Sequence, residues 1–302
     1  MLWTEKYRPN KLSEIIGQEH FTMDAKGWIE EKNMPNVLLY GNPGNGKTTA
    51  GIVLAKELLG NNFKDNYVEV NASDDRRLET VRTMIKNVAQ SGTIGDVPFR
   101  MMLLDEMDGM TTDAQNALKR IMERYSSNIR FIITCNDRNK IIFALQSRCA
   151  NYHFKPLSNE ALLEVIQSIL QAEGINRFSQ DELTPFIYAM QGDMRRAITE
   201  LQAAKASNSS LKTQIDIGLN EYKKLLIKIT NKNSDSLSTI HNLLHDGLSI
   251  REICIGLHDA VIVTELDSNT KFKFLRTIGE SEWRSTTMTP KVLASWLIGQ
   301  LL

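Results

Sequence analysis

One stretch of the chain has the residue types and spacing of a phosphate-binding loop. Residues 41–48 read Gly-Asn-Pro-Gly-Asn-Gly-Lys-Thr and match the pattern Gly-x-x-x-x-Gly-Lys-Ser/Thr. Glycines let backbone N–H groups wrap around phosphates, Lys47 reaches the β- and γ-phosphates, and Thr48 ligates Mg²⁺. We therefore predict that ATP and Mg²⁺ bind here. The residues expected to contact the nucleotide in this stretch are Gly41, Asn42, Pro43, Gly44, Asn45, Gly46, Lys47, Thr48 and Thr49.

Two carboxylates follow an apolar run further along the chain. Asp105 and Glu106 come directly after residues 101–104, Met-Met-Leu-Leu, which are typical of a buried strand. A carboxylate at such a strand end holds Mg²⁺, and a second one polarises an attacking water. With the phosphate loop upstream, this pair predicts hydrolysis of the nucleotide. Lys47, Asp105 and Glu106 are then catalytic, and Thr48 and Asp105 are the metal ligands.

An asparagine closes the next predicted strand. Asn136 follows the apolar run of residues 130–135, so in a parallel sheet it emerges at the same edge as Asp105. At that position its amide could sense the γ-phosphate or orient water. A routine turn-forming role for Asn136 also fits, because asparagine is common after strands.

Two arginines near residue 195 conflict with a local electrostatic rule. Arg195 and Arg196 lie in the first turn of a helix that Asp193 is predicted to cap, where the helix dipole disfavours cations. A nearby anion would remove the conflict, so we predict that Arg195 reaches the bound phosphates. The alternative is that both arginines are solvated beside Asp193.

A third arginine stands in a turn between apolar segments. Arg148 lies in Ser-Arg-Cys at residues 147–149, after the strand that ends at Asn136. If the protein assembles head to tail, Arg148 would point into the neighbour's site as an arginine finger, an effect worth roughly 10³–10⁵ in rate.

The elements that position these groups follow from the hydrophobic pattern of the chain, which changes near residue 155. Before it, apolar runs at residues 37–40, 67–70, 101–104 and 131–134 alternate with amphipathic segments, which indicates a parallel sheet with helices on both faces. After Pro156 the pattern is helical, and residues 205–210 are small and polar like a linker. We predict a nucleotide-binding α/β domain over 1–155, a helical lid over 156–206 and an all-helical domain over 207–302.

Composition limits the choice of partners and compartment. Lys and Arg number 36 and Asp and Glu also number 36 in the 302 residues, so the net charge is zero and any basic surface must be local. Three separated cysteines favour a reduced intracellular compartment. No run approaches the ~18 apolar residues of a membrane span. We expect a soluble intracellular protein without a membrane partner, in the cytoplasm or nucleoid of a prokaryote or virus or in a eukaryotic nucleus.

Taken together, these motifs resemble those of the AAA+ ATPases, and more narrowly those of the replication factor C small subunits, the sliding-clamp loaders of archaea and eukaryotes. The resemblance is dense over residues 1–205 and fades over the last third. The narrower resemblance rests on residues 3–9, 17–18, 71–76, 108–122 and 147–149.

The resemblance implies an architecture and a set of partners. It implies a P-loop α/β ATPase domain, a small helical lid and a helical collar through which a large subunit and further small subunits assemble as a spiral pentamer. ATP lies between neighbours, and the assembly opens a ring-shaped sliding clamp and loads it on primer–template DNA.

The resemblance also implies roles for individual residues. Asn136 is the first sensor, Arg195 is the second, and Arg148 is the finger acting in trans. Thr4 and Arg8 border the adenine and ribose.

A local basic face is a candidate for DNA contact. In the helical pattern that begins after Asp74, Arg82 and Lys86 are four residues apart and share one face. The corresponding helix of the family lines the inside of the spiral, so these residues are the candidates for contacts to DNA phosphates, independent of sequence. An ordinary solvated face explains them as well.

Two other functions share part of this pattern. Another AAA+ motor, such as a branch-migration helicase or a remodeller, would have the same loop and carboxylates, but residues 71–76 and 147–149 argue against it. The second alternative is a scaffold subunit that binds nucleotide without hydrolysing it. The presence of Lys47, Asp105, Glu106 and Arg148 argues against this alternative.

Overall fold

The structure is a computed structural model that describes residues 1–72, 83, 85–88, 90–207, 211–245 and 248–302. The chain divides into two compact units, Met1–Asn208 and Ser209–Leu302. The boundary predicted near residue 155 falls inside the first unit and stays a prediction.

The first unit is built on a five-stranded parallel sheet with the order β2-β3-β4-β1-β5. The predicted parallel sheet is therefore confirmed. Because all strands run the same way, the segments that follow β1, β3 and β4 leave from one edge of the sheet. The strands are β1 Val37–Tyr40, β2 Tyr67–Asn71, β3 Arg100–Asp105, β4 Ile129–Cys135 and β5 Ala150–His153.

The three central strands, β1, β3 and β4, are apolar in nearly every position because both faces of the sheet are covered. Successive side chains point to opposite faces. Leu38 and Met102 therefore join one buried cluster, while Leu39 and Leu103 join the other. Continuous burial on both faces is the property of parallel sheets that made these strands recognisable in the sequence.

One strand was missed by the sequence analysis. β5 lies at the edge beside β1, with Ala150 opposite Val37. Its sequence, Ala-Asn-Tyr-His, contains one buried residue, Tyr152. It therefore lacks the apolar run by which the other strands were found.

Helices cover the two faces of the sheet. Phe21 of α2 and Leu54 of α3 pack on one face, and Leu118 and Met122 of α5 pack on the other. The helices of the first unit are α1 Trp3–Lys6, α2 Glu19–Glu31, α3 Lys47–Leu59, α4 Phe63–Asn66, α5 Thr112–Arg124, α6 Phe143–Gln146, α7 Asn159–Ala172, α8 Gln180–Met190 and α9 Met194–Ser207.

Two helices begin at side-chain caps, and the one at Asp193 was predicted from the sequence. The N–H of Ser179 donates to Glu182 Oε2 at 3.0 Å in a capping box at α8. At α9 the N–H of Arg196 donates to Asp193 Oδ1 at 3.0 Å. Both contacts satisfy backbone donors that the first turn of a helix leaves without an intrahelical partner.

The N-terminal segment is attached to the helices that follow the sheet. Glu173, directly after α7, accepts hydrogen bonds from Lys205 Nζ at 2.6 Å, Lys6 Nζ at 2.6 Å and Tyr7 Oη at 2.7 Å. These donors, Lys205 first, lower the pKa of Glu173 to about 2. The N–H of Trp3 also donates to Gln202 Oε1 at 2.9 Å. Residues 3–7 are therefore held against α7 and α9.

The second unit is helical, and its helices enclose a separate apolar core. Leu225, Ile253 and Leu297 are fully buried there, as members of one cluster. Close packing is visible at Gly256, where a Cβ would lie 2.1 Å from the Tyr222 ring. Within the described residues, no helix has the length and apolar character needed to cross a membrane. The helices are α10 Lys212–Thr230, α11 Asp235–His245, α12 Ile250–Val263, α13 Ser268–Arg284 and α14 Pro290–Leu301.

The contacts of Glu173 make the attachment of the N-terminal segment sensitive to acid. Because the pKa of Glu173 is about 2 in the folded chain and 4.5 ordinarily, its stabilising effect is full above about pH 4.5 and is lost as the pH falls toward 2. We expect Glu173→Gln to speed backbone hydrogen exchange of residues 3–8 at about pH 6, and wild type to approach the variant at about pH 2.5, near the lower end of that range.

The matched control is Glu164→Gln, at an exposed position of α7. If residues 3–8 were equally protected from hydrogen exchange in wild type and in Glu173→Gln at about pH 6, this account of the attachment would be wrong.

Candidate functional site

The predicted phosphate loop joins the end of β1 to the start of α3. Gly44 has a φ of 83°, a conformation that favours glycine, and a Cβ there would lie 2.0 Å from Asp193 Oδ1. A Cβ on Gly41 would lie 2.2 Å from the carbonyl oxygen of Phe154. Gly41 is therefore required by the close approach of the Phe154 backbone, and Gly44 is favoured by its own backbone conformation.

Lys47 is almost fully buried at the base of this loop, with 7% of its surface exposed. Its Nζ donates to the carbonyl oxygens of Gly41 at 2.7 Å and Asn42 at 2.9 Å, and to Asn136 Oδ1 at 3.0 Å. Burial lowers the pKa of Lys47, and the negative charge of Asp105 opposes that shift. An ammonium has three N–H donors. To bind a phosphate oxygen, Lys47 must therefore release at least one of these acceptors.

Thr48 and Asp105 are in direct contact. Thr48 Oγ1 donates to Asp105 Oδ1 at 3.0 Å and lies 3.1 Å from Oδ2, and Thr134 Oγ1 also donates to Oδ1. Hydroxyl and carboxylate oxygens are ligands that Mg²⁺ accepts, usually together with water and substrate phosphates. The donor set beside the loop therefore fits the predicted Mg²⁺.

Glu106 is exposed and has an unusual backbone conformation. Its φ and ψ are 54° and 44°, in the left-handed region that costs a non-glycine residue about 1–3 kcal/mol. The N–H of Glu106 donates to Thr134 Oγ1 at 3.2 Å, and Asn71 Nδ2 donates to Glu106 Oε2 at 3.3 Å. These contacts hold the residue at the turn where β3 ends, so its carboxylate stays at the edge of the sheet.

The structure also brings both predicted sensors close to Lys47. Asn136 follows β4 and accepts the hydrogen bond from Lys47 described above. Arg195 is exposed in the first turn of α9. Burial is the main cause that lowers the pKa of Lys47, and the positive charge of Arg195 lowers it further. Asp193, which caps α9, lies against Gly44. The loop, the ends of β3 and β4, and the start of α9 thus form one site.

Arg148, Thr4 and Arg8 are predicted site residues that lie outside this contact network. Arg148 donates to Glu123 and to the carbonyl oxygen of Ala144. Arg8 pairs with Glu5 at 2.7 Å, and Thr4 is part of α1. In the part of the chain that the structure describes, none of the three hydrogen-bonds to residues 41–49.

The predicted DNA-contact face is described in part. Arg82 lies outside the described residues, whereas Lys86 is exposed in a helical stretch. Ile85 is 2% exposed and belongs to a core cluster against which Val88 also packs.

Three polar residues of this region were not predicted from the sequence to belong to the site. The Thr134 hydroxyl donates a hydrogen bond to Asp105 and accepts one from the N–H of Glu106. Gln115 is buried, donates to the carbonyls of Met110 and Lys140 and accepts from the N–H of Ile142, so it joins the turns that follow β3 and β4. For Thr134 the available signal was a polar residue within an apolar strand sequence. For Gln115 it was a polar residue on the apolar face of a predicted helix. The third is Asp193, whose contact with the loop had no signal in the sequence beyond its capping position.

Comparisons with known proteins agree with this geometry. The family profile "ATPase family associated with various cellular activities (AAA)" matches residues 37–157. Among solved structures, the Thermotoga maritima RuvB Holliday junction branch migration motor has a TM-score of 0.57, with 83% of this chain and 85% of that chain covered. At 16% sequence identity, this similarity establishes the fold alone.

Curated relatives are more similar in sequence. Replication factor C small subunit of Methanococcus vannielii is 38% identical over 290 residues, which cover 93% of this chain and 92% of the relative. Replication factor C small subunit of Archaeoglobus fulgidus is 37% identical over 293 residues, with 94% and 92% covered. Identity at this level over nearly the whole length of both proteins establishes that the chain belongs to the replication factor C small subunit family of AAA ATPases.

Proposed function

We propose that this chain is an ATP-hydrolysing subunit of a clamp loader, which opens a ring-shaped sliding clamp and loads it on primer–template DNA. The observation that carries the proposal is the site in which Lys47 contacts Asn136 and Thr48 contacts Asp105, in a chain of this family. The proposed phosphate-binding and sensing groups are thereby in contact with each other, as are the two proposed metal ligands, and phosphoryl transfer depends on such positioning of charged and polar groups.

The roles of the cis residues follow from their positions. Lys47 binds phosphate oxygens by giving up part of its present hydrogen bonding. Thr48 and Asp105 would hold Mg²⁺, which when bound would offset the negative charge that develops during phosphoryl transfer. Glu106 accepts a hydrogen bond from the attacking water and so makes its oxygen a better nucleophile. Asn136 detects the γ-phosphate through its amide.

Two arginines complete the proposed mechanism. Arg195 neutralises phosphate charge in its own chain, and the position of Asp193, two residues before it, against Gly44 of the phosphate loop supports that role. Arg148 acts on the nucleotide of a neighbouring subunit, which is supported by its exposure and by hydrogen bonds that lie away from the cis site. Thr4 and Arg8 are proposed to border the adenine and ribose.

The proposed partners are a large subunit, further small subunits in a pentamer, the sliding clamp and primer–template DNA. Lys86, with Arg82, is proposed to contact DNA phosphates, and the exposed position of Lys86 supports this. Such contacts would be salt-dependent and independent of base sequence.

The first test measures steady-state ATP hydrolysis by the complex with its co-purified partner subunits, with primer–template DNA, with a sliding clamp, and with both. We expect both together to raise turnover beyond either alone, because the proposed machine couples hydrolysis to clamp and DNA. Stimulation by DNA that is indifferent to the clamp would instead indicate a helicase or remodeller.

Lys47→Ala tests the cis site in the isolated chain. We expect the dissociation constant for a fluorescent ATP analogue to rise by about 10- to 100-fold, because hydrogen bonds to a charged group are lost. Lys56→Ala, at an exposed position of the same helix, is the matched control. Thermal unfolding of both variants checks the fold, and undiminished affinity in a folded Lys47→Ala protein would exclude Lys47 from nucleotide binding.

Arg148→Ala tests the action in trans. We expect nucleotide affinity to stay at the wild-type value, while turnover of the assembled complex with DNA and clamp falls by about 10³-fold or more. Arg148→Lys should recover little, because lysine keeps the charge without the planar fork of donors. Arg276→Ala, at an exposed position of the second unit, is the control. Wild-type turnover in the assembled Arg148→Ala complex would remove Arg148 from the mechanism.

A further inference from the structure

We propose that Glu123 is a positioning residue that orients the Arg148 guanidinium for the site of the neighbouring subunit. The inference rests on the proposed function, because it requires Arg148 to act as a finger. It assigns a role to an acidic side chain that is not part of the nucleotide site described above.

The contacts between the two side chains are specific. Arg148 Nε donates to Glu123 Oε1 at 2.9 Å, and Arg148 Nη2 donates to the same oxygen. Arg148 Nη1 donates to the carbonyl oxygen of Ala144 in α6 at 2.7 Å. The guanidinium is thus held from two elements, which fixes both its plane and its direction.

This arrangement leaves the guanidinium able to bind an anion. A guanidinium has five N–H donors in a fixed planar fork. The contacts of the described residues use one donor on each nitrogen, so Nη1 and Nη2 each keep one N–H. Two N–H groups on neighbouring terminal nitrogens can bind phosphate oxygens in a bidentate manner. Glu123 can therefore hold Arg148 without occupying all of its donors.

The helix that carries Glu123 is fixed by the core. Glu123 belongs to the last turn of α5, where Leu118 and Met122 are buried against the sheet. A flexible arginine side chain loses conformational entropy when it binds a nucleotide. If Glu123 already restrains Arg148, part of that entropy is lost before binding and does not add to the activation barrier. The position of the guanidinium thus depends on the ATPase core through one carboxylate.

The pair is suited to orientation more than to stability. The side chains of Arg148 and Glu123 are 35% and 48% exposed, and exposed ion pairs contribute little to the stability of a fold. Variants at Glu123 should consequently fold and assemble, so that their turnover can be interpreted.

The test uses the assembled complex with DNA and clamp. For Glu123→Ala we expect kcat to fall by about 10- to 100-fold, the loss that a displaced reactive group produces. The KM for ATP should stay unchanged, because the cis site is intact. Glu123→Gln should recover much of the lost kcat, since its amide oxygen accepts the same hydrogen bonds. Glu164→Ala, at an exposed position of α7, should match wild type.

The double variant Glu123→Ala/Arg148→Ala separates orientation from a general structural effect. If Glu123 acts through Arg148, the single-turnover rate of the double variant equals that of Arg148→Ala alone. A further loss in the double variant would overturn the inference.

The remaining outcomes distinguish this inference from the proposed function. The positioning role would be overturned if Glu123→Ala kept the wild-type kcat, or if Glu123→Gln were as impaired as Glu123→Ala. In either case a loss of turnover in Arg148→Ala would still support the arginine finger. Wild-type turnover in Arg148→Ala would instead overturn the proposed function itself.

Discussion

The carboxylate of Asp105 is the group on which the arrangement of the nucleotide site depends. It accepts hydrogen bonds from Thr48 at the start of α3 and from Thr134 in β4, while its own residue ends β3. Hydrogen bonds to an ionised carboxylate are among the stronger ones in proteins. Three elements far apart in the chain are therefore held around one negative charge. The Thr134 hydroxyl also accepts from the Glu106 backbone, which extends the same network to the proposed base.

The sheet explains why so much of this site could be predicted from the sequence. Apolar runs identified four strands, and parallel strands present their carboxyl ends at one edge. Local motifs at those ends, the phosphate loop, Asp105 and Asn136, therefore had to meet, and the structure joins them through Lys47 and Thr48. Strand direction fixes the edge at which these loops emerge, and the strand order, in which β4 lies between β3 and β1, makes them neighbours.

What the sequence did not reveal depends on contacts between segments without a periodic signal. β5 has too few apolar residues to stand out, and its place is set by pairing with β1. Thr134 looks like an ordinary strand residue until Asp105 is beside it. The attachment of residues 3–7 to Glu173 joins parts of the chain that are more than 160 residues apart. Such contacts follow from the packed structure, so local patterns do not predict them.

The left-handed backbone at Glu106 limits which residues evolution or design can place there. A glycine or asparagine adopts this conformation readily, whereas glutamate holds it at the expense of stability. If Glu106 is the proposed base, selection for a more stable fold and selection for hydrolysis act in opposite directions on this one position. With that role, a directed-evolution experiment that rewards thermal resistance alone would select substitutions at Glu106 that keep nucleotide binding and lose turnover.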